Sequence, residues 1–171
     1  MATYDTVIRN GQVADGTGAK LFAADVALKG DRIAAVGTPG SLKGDNEIDA
    51  SGKVVAPGFI DVHTHDDTVV IRQPQMLPKL SQGVTTVIVG NCGISASPVT
   101  LRSDPPDPMN LLGSASAFVY PRFSDYRAAV EKAHPAVNVA ALIGHTALRS
   151  NHMDDLHRTA SADEIAAMRV Q

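Results

Sequence analysis

The chain changes its pattern of apolar and polar residues near Pro57. Before Pro57, short β-rich runs alternate with glycine-containing turns, which is typical of a small antiparallel sheet. We predict four or five strands in residues 1–57. Two-residue turns are expected at Asn10-Gly11 and Gly30-Asp31, and a short strand pair is expected on either side of Ser51-Gly52.

From Gly58 onward, apolar runs alternate with helical patterns. Strands are predicted at 59–63, 84–89 and 137–143, and the second of these is β-branched at every position, as buried parallel strands tend to be. Helices are predicted over 76–82 and from a cap at Ser124 to a stop at Pro135. This alternation predicts an α/β fold whose parallel strands are joined by right-handed crossovers.

Two further segments carry specific expectations. Residues 97–122 are rich in proline, and so long a connection is expected to be functional or mobile. Ser161 and Glu164 match a capping box at the start of an amphipathic helix. Because the chain stops at Gln171, within about two turns and without a stop signal, we expect a truncated sequence.

Composition narrows the class of protein. The chain has 171 residues, of which 44% are hydrophobic and 19% charged, as in globular proteins. A net charge of −3 gives no electrostatic case for binding nucleic acid or an anionic membrane. Neither a signal peptide nor a membrane span is recognisable. The single cysteine, Cys92, excludes an internal disulfide and indicates a reducing compartment, so a cytoplasmic location is expected.

A pair of histidines follows the first predicted parallel strand. His63 and His65 are two residues apart, so on a strand both imidazoles point to one face and can bind one metal ion. Asp61 shares that face and can orient a histidine or bind the metal. Asp66 and Asp67 are further carboxylates that can tune the site or bind a substrate amine. The alternative is two surface histidines in a polar turn.

Cys92 follows the second predicted strand in the run Gly90-Asn91-Cys92-Gly93. The flanking glycines let the backbone turn sharply, and a thiolate is a good zinc ligand. Two other roles stay open for this residue. It is either a small buried hydrophobic residue or a catalytic nucleophile, which would need a histidine base.

The third predicted strand ends in Ile143-Gly144-His145-Thr146, so three strand ends carry glycine or metal-competent residues at one sheet edge. His145 is a candidate metal ligand, substrate contact or structural histidine, and the second and third roles are favoured. Arg149 can pair with a substrate carboxylate or lie solvated at a helix start. The remaining histidines are expected at the surface: His134, His152 and His157.

Three runs of sequence together resemble the amidohydrolase superfamily: P-G-F-I-D-V-H-T-H, then S-Q-G-V-T-T-V-I-V-G-N-C-G-I-S, then I-G-H-T-A-L-R. The G-N-C-G run resembles the N-acyl-D-amino-acid deacylase (D-aminoacylase) branch in particular. The resemblance covers essentially the whole chain, but only about the N-terminal third of the family's usual length. It implies a partial (β/α)8 barrel in residues 58–171, comprising about the first three βα units. It also implies a small antiparallel β-sandwich domain in residues 1–57, completed by C-terminal strands.

The same resemblance implies roles for individual residues. His63 and His65 match the ligands of a second, weaker metal site, and Cys92 matches the cysteine ligand of a tightly held zinc ion. The family's other zinc ligands and its catalytic aspartate, a general base and acid, lie beyond Gln171. The implied activity is zinc-dependent hydrolysis of small N-acyl-D-amino acids to a carboxylate and a D-amino acid.

Two alternatives stay open beside this activity. One is another amidohydrolase, a cyclic amidase or deaminase similar to dihydroorotase or enamidase. The other is a non-catalytic truncated product. Since a (β/α)8 barrel needs eight strands, we expect the 171-residue chain alone to be inactive.

Overall fold

Five strands before Pro57 form a single sheet in the computed structural model, which describes residues 3–171. They are β1 (Tyr4–Val13), β2 (Phe22–Lys29), β3 (Arg32–Gly37), β4 (Gly44–Asp49) and β5 (Val54–Val55). The order across the sheet is β3-β2-β1-β4, and β5 pairs with β1. Residues up to Pro57 form one compact unit, and residues from Gly58 form a second.

The predicted turn at Asn10-Gly11 is wrong, because β1 continues through these two residues to Val13. Asn10 adopts a left-handed φ of 62°, and the register with β2 shifts between Ile8 and Gly11. Asparagine tolerates this conformation, so the extra residue forms a bulge inside the strand. A Cβ on Gly11 would lie 2.6 Å from Cγ2 of Val55, so the approach of β5 requires glycine.

The sheet is mixed, whereas an antiparallel one was predicted. The hairpin at Gly30-Asp31 is confirmed: Lys29 pairs with Arg32 and Gly30 has a φ of 57°. The pairing expected around Ser51-Gly52 is wrong, since β4 and β5 each pair with β1 in parallel. Strand β4 lies beside residues Tyr4 to Arg9 of β1, and β5 lies beside Gln12 to Val13. Both strands run in the same direction as β1.

The unit that begins at Gly58 has a parallel sheet of three strands in the order β6-β7-β8. Its strands are β6 (Phe59–Asp61), β7 (Val84–Val89) and β8 (Asn138–Ala141). Its helices are α1 (Val69–Arg72), α2 (Leu77–Leu80), α3 (Phe123–Ala133), α4 (His145–His152) and α5 (Ala162–Val170). The predicted alternation of strands and helices is confirmed, and β7 has its predicted bounds.

The ends of the strands and helices differ from the predicted ones more than their types do. The strands β6 and β8 are shorter than predicted, so residues 62–63, 137 and 142–143 lie outside them. Helix α3 begins at Phe123, which places Ser124 inside the helix, and Arg122 precedes it without a side-chain cap. The capping box of α5 is confirmed, with Ser161 and Glu164 each bonded to the other's backbone N–H.

Two apolar clusters organise the second unit. One joins the sheet to α1 and α3 and contains the buried residues Val70, Val87, Val89, Tyr126 and Val137. The other joins the proline-rich segment to α4 and contains Ile94, Val99, Met109, Leu112, Phe118 and Ala147. Residues 97–122 therefore pack as an ordered loop with two short 3-10 helices, Met109–Leu112 and Ala115–Ala117. None of the helices in residues 3–171 combines the length and apolar character needed to cross a bilayer.

Candidate metal centre

Three metal-competent side chains converge just beyond the C-terminal ends of β6 and β7. Donor atoms of His63, His65 and Cys92 all lie within 4.8 Å of one another. Nε2 of His63 is 2.9 Å from Sγ of Cys92. The two imidazole rings meet edge to face, with centroids 5.8 Å apart and an interplanar angle of 81°. The structure thus brings together all three residues that the sequence nominates as metal ligands.

The predicted position of the two histidines on a strand is wrong. Strand β6 ends at Asp61, so His63 and His65 lie in the loop that follows it. Local hydrogen bonds shape this loop. The backbone N–H of His63 donates to Oδ1 of Asp61 over 3.2 Å, and that of Thr64 donates to the carbonyl of Ile88 over 3.4 Å.

A sharp turn after β7 presents the sulfur of Cys92. Cys92 has a left-handed φ of 56°, and the N–H of Ile94 donates to the carbonyl of Asn91 over 3.0 Å to close the turn. Gly90 has a φ of 81°, and a Cβ there would lie 2.0 Å from the carbonyl oxygen of Leu142. Glycine is required at position 90 because both its conformation and its spacing exclude a side chain. Cys92 is exposed, which contradicts its role as a small buried hydrophobic residue.

Asp67 ties the histidine loop to the cysteine loop. Its side chain is buried, and its two carboxylate oxygens accept the backbone N–H groups of Gly90, over 3.3 Å, and Ala96, over 3.2 Å. Burial raises the pKa of this carboxyl, although the two N–H donors act in the opposite direction. The hydroxyl of Tyr126 donates to the Asp67 carbonyl over 2.8 Å. Asp67 is therefore engaged with backbone rather than directed to a substrate.

Lys79, on α2, is a charged residue at the site that sequence reasoning missed. Its Nζ lies 2.6 Å from Oδ2 of Asp61 and 3.0 Å from Oδ2 of Asp66. The hydrogen bond from Lys79 lowers the pKa of Asp61. Burial disfavours the charged lysine, but its bonds to the two carboxylates outweigh this effect and raise the pKa of Lys79. A lysine in the short run Leu77–Leu80 gives no local signal of this role.

The three clustered side chains fit a zinc ion. Imidazole nitrogen and thiolate sulfur are the ligands that zinc prefers, bound at about 2.0–2.3 Å. Donors around one tetrahedral ion then lie about 3.5 Å apart, which is compatible with three donor atoms within 4.8 Å of one another. In addition, Nδ1 of His65 is buried and has no hydrogen-bond partner among the described residues. A buried nitrogen without a partner is costly unless something binds it.

The predicted substrate-binding residues lie on α4, outside this cluster. His145 is the first residue of α4 and is exposed. Arg149 donates from Nη2 to the carbonyls of Leu156 and Arg158, over 2.6 Å in each case. Arg149 thus holds the segment after α4, and its substrate contact, like that of His145, stays a prediction. His134 and His157 are exposed, whereas His152 is half-buried and bonds to Gln171 over 2.8 Å.

Comparison with known proteins assigns the chain to a family. The model of the amidohydrolase family matches residues 46–171, a range that contains the whole histidine and cysteine cluster. The chain belongs to the amidohydrolase family. This membership agrees with the resemblance carried by the three sequence runs and with the mixed α/β architecture.

Relatives within the family are close in sequence and structure. The chain is 46% identical over 166 residues to D-aminoacylase of Alcaligenes xylosoxydans xylosoxydans, covering 97% of this chain and 34% of that protein. A structure of D-aminoacylase, studied for its binuclear metal centre, superposes with a TM-score of 0.93 at 50% identity, covering 98% and 35% of the two chains. A structure of N-acyl-D-glutamate deacylase from Bordetella bronchiseptica, complexed with zinc and a phosphonate inhibitor, superposes with a TM-score of 0.91 at 43% identity. This match covers 99% of this chain and 35% of that chain. The chain therefore spans about a third of the length of these relatives.

Proposed function

We propose that this chain is the metal-binding N-terminal part of a zinc-dependent N-acyl-D-amino-acid deacylase. The observation that carries the proposal is the convergence of His63, His65 and Cys92 within 4.8 Å. Two related deacylases support the choice of reaction, namely a D-aminoacylase with a binuclear metal centre and an N-acyl-D-glutamate deacylase holding zinc. The proposed substrates are small N-acyl-D-amino acids, and the proposed products are a carboxylate and a D-amino acid.

The architecture proposed for the whole protein follows the same relatives. We propose that residues 58–171 form the first three β/α units of a (β/α)8 barrel, with β6, β7 and β8 as neighbouring barrel strands. Residues 1–57 are proposed to be a small β-sandwich domain, of which the mixed sheet forms one layer. Active sites of such barrels lie at the C-terminal ends of the strands, and this is where the three proposed ligands lie.

The proposed centre combines a metal with residues that fix its ligands. When bound, zinc lowers the pKa of a water molecule and polarises an amide carbonyl, which is the chemistry of amide hydrolysis. Cys92 would hold a tightly bound zinc ion, and His63 and His65 would hold a second, weaker metal ion next to it. Asp67 fixes the backbone on both sides of the cysteine turn, and Asp61 fixes the backbone of His63.

Metal binding is tested with cobalt in place of zinc, because thiolate ligation of cobalt gives an intense absorption band. We expect the band in the unaltered chain and its loss in Cys92→Ser. His134→Ala serves as the matched control, since His134 is an exposed histidine outside the cluster. A chain without the band, or a Cys92→Ser variant that keeps it, contradicts the proposal.

The reaction is tested in a chimera in which this chain replaces the matching segment of Alcaligenes D-aminoacylase. The 46% identity over 166 residues makes this exchange conservative. We expect hydrolysis of N-acetyl-D-methionine in preference to its L-isomer, and loss of hydrolysis in the Cys92→Ser chimera. A folded, metal-loaded chimera without deacylase activity would count against the proposed reaction.

A further inference from the structure

The ammonium group of Lys79 contacts three side chains of the loop that carries the two histidines. Its Nζ lies 2.6 Å from Oδ2 of Asp61, 3.0 Å from Oδ2 of Asp66 and 3.1 Å from Oγ1 of Thr64. Nζ donates hydrogen bonds to Asp61 and Thr64 and forms an ion pair with Asp66. The side chain is only 23% exposed, which separates this cluster from an ordinary surface ion pair.

The three acceptors alternate with the proposed ligands along the chain. Asp61 precedes His63, Thr64 lies between the histidines, and Asp66 follows His65. Lys79 therefore joins the start, the middle and the end of the loop to helix α2. A fourth bond closes the network, because the Thr64 hydroxyl donates to Oδ2 of Asp66 over 2.6 Å.

This network compensates for the early end of β6. Beyond Asp61 the loop is no longer part of the strand ladder. Among the described residues, its backbone hydrogen bond to β7 runs from the N–H of Thr64 to the carbonyl of Ile88 and is long, at 3.4 Å. Side-chain bonds to Lys79 consequently fix a backbone that strand pairing leaves weakly held. Asp61 transmits this constraint to His63, since its other carboxylate oxygen accepts the His63 N–H over 3.2 Å.

We propose that Lys79 is a positioning residue for the metal centre, which holds the His63–His65 loop in the conformation that places both imidazoles next to Cys92. The proposal rests on the proposed function, because it assumes that the three residues bind a metal ion. Groups that orient metal ligands typically change metal affinity by about 10–100-fold when they are removed. Lys79 acts one step further out, through Asp61 and Thr64, so we expect the lower end of that range.

The test is a cobalt titration of the full 171-residue chain against a competing chelator, read from the thiolate absorption band. We expect Lys79→Met to weaken cobalt binding about tenfold. Lys79→Arg is expected to retain most of the affinity, because a guanidinium keeps the positive charge and can bond to the same two carboxylates. Lys132→Met is the matched control, since Lys132 is an exposed lysine on α3, away from the cluster.

A positioning role is distinguished from a purely structural one by measuring cobalt affinity only for variants whose circular dichroism shows the same helical signal as the unaltered chain. If Lys79→Met does not fold, Lys79→Gln replaces it in the same titration with the same expectation. Unchanged affinity in the folded Lys79 variant, with a normal band in the unaltered chain, overturns the positioning role and leaves the proposed function intact. Absence of the band from the unaltered chain overturns both proposals.

Discussion

Replacement of Gly90 by alanine is expected to destabilise the second unit and to displace the turn that carries Cys92. Gly90 has a φ of 81°, and an added Cβ would lie 2.0 Å from the carbonyl oxygen of Leu142. That carbonyl has little freedom to move, because the N–H of Leu142 is bonded to the carbonyl of Val89 over 2.9 Å. The backbone on both sides of the contact must shift to accept the methyl group.

Gly83→Ala is the matched control for this substitution. Gly83 lies in the same unit and has a similar φ of 79°, but a Cβ there would meet only the side chain of Phe59, at 3.3 Å. The left-handed conformation costs an alanine about 1–2 kcal/mol, and both variants carry this cost. Close contact with fixed backbone adds about 1–3 kcal/mol in Gly90→Ala alone. We therefore expect losses of about 1–2 kcal/mol for Gly83→Ala and about 2–5 kcal/mol for Gly90→Ala.

The assay is urea unfolding followed by far-UV circular dichroism, since the chain has no tryptophan. The described helices all lie in residues 58–171, so the helical signal reports on the second unit. Cobalt affinity is measured on the same samples and is expected to fall in Gly90→Ala but not in Gly83→Ala. Equal losses of stability in the two variants, or unaltered cobalt affinity in folded Gly90→Ala, would refute the argument from close approach.

Three further substitutions test the contacts around the site and at α5. Tyr126→Phe leaves the Asp67 carbonyl without its buried donor and is expected to lower the free energy of unfolding in urea by about 1–2 kcal/mol. The control Tyr4→Phe, in the other unit, is expected to leave the helical transition unchanged. Asp67→Asn leaves one of two buried backbone N–H groups without an acceptor. We expect the free energy of unfolding to fall by about 1–3 kcal/mol and cobalt binding to weaken. A variant as stable as the unaltered chain would contradict this expectation. Hydrogen bonds from Arg158 and the Ser161 backbone lower the pKa of Glu164 from 4.5 to about 2, so the stabilisation is complete above pH 4.5 and is lost as the pH falls towards 2. The difference in Tm between the unaltered chain and Glu164→Gln should therefore shrink over this interval, and a difference independent of pH would disprove the assignment.

The local sequence pattern was sufficient to predict elements that are determined by a few neighbouring residues. The β-branched run Val84–Val89 forms the central strand with the predicted bounds, because β-branched residues favour strands. Ser161 and Glu164 form their capping box because the motif is completed within four residues. The metal-competent residues were also recognisable, since each follows an apolar run at the same edge of a parallel sheet.

Features that depend on contacts between distant segments were not predictable. Asn10-Gly11 is a strong turn signal, yet pairing of β1 with β2, β4 and β5 keeps the chain extended and converts the signal into a bulge. The histidines converge through side-chain bonds rather than strand alternation. Lys79 gains its role only when α2 lies beside the loop after β6, and no periodicity in Leu77–Leu80 encodes that neighbour.

The separation of His63 and Cys92 along the chain links metal uptake to the order of folding. The two residues are 29 positions apart and become neighbours only after β6 and β7 have paired in register. A parallel pairing of this kind is non-local, so it forms late and slowly compared with the helices. An ion that binds only the assembled pair stabilises it by mass action, by about 2.7 kcal/mol at a free concentration 100 times its Kd. Zinc supply during synthesis would then influence how much of the chain reaches the native pairing before its apolar strands associate with other chains.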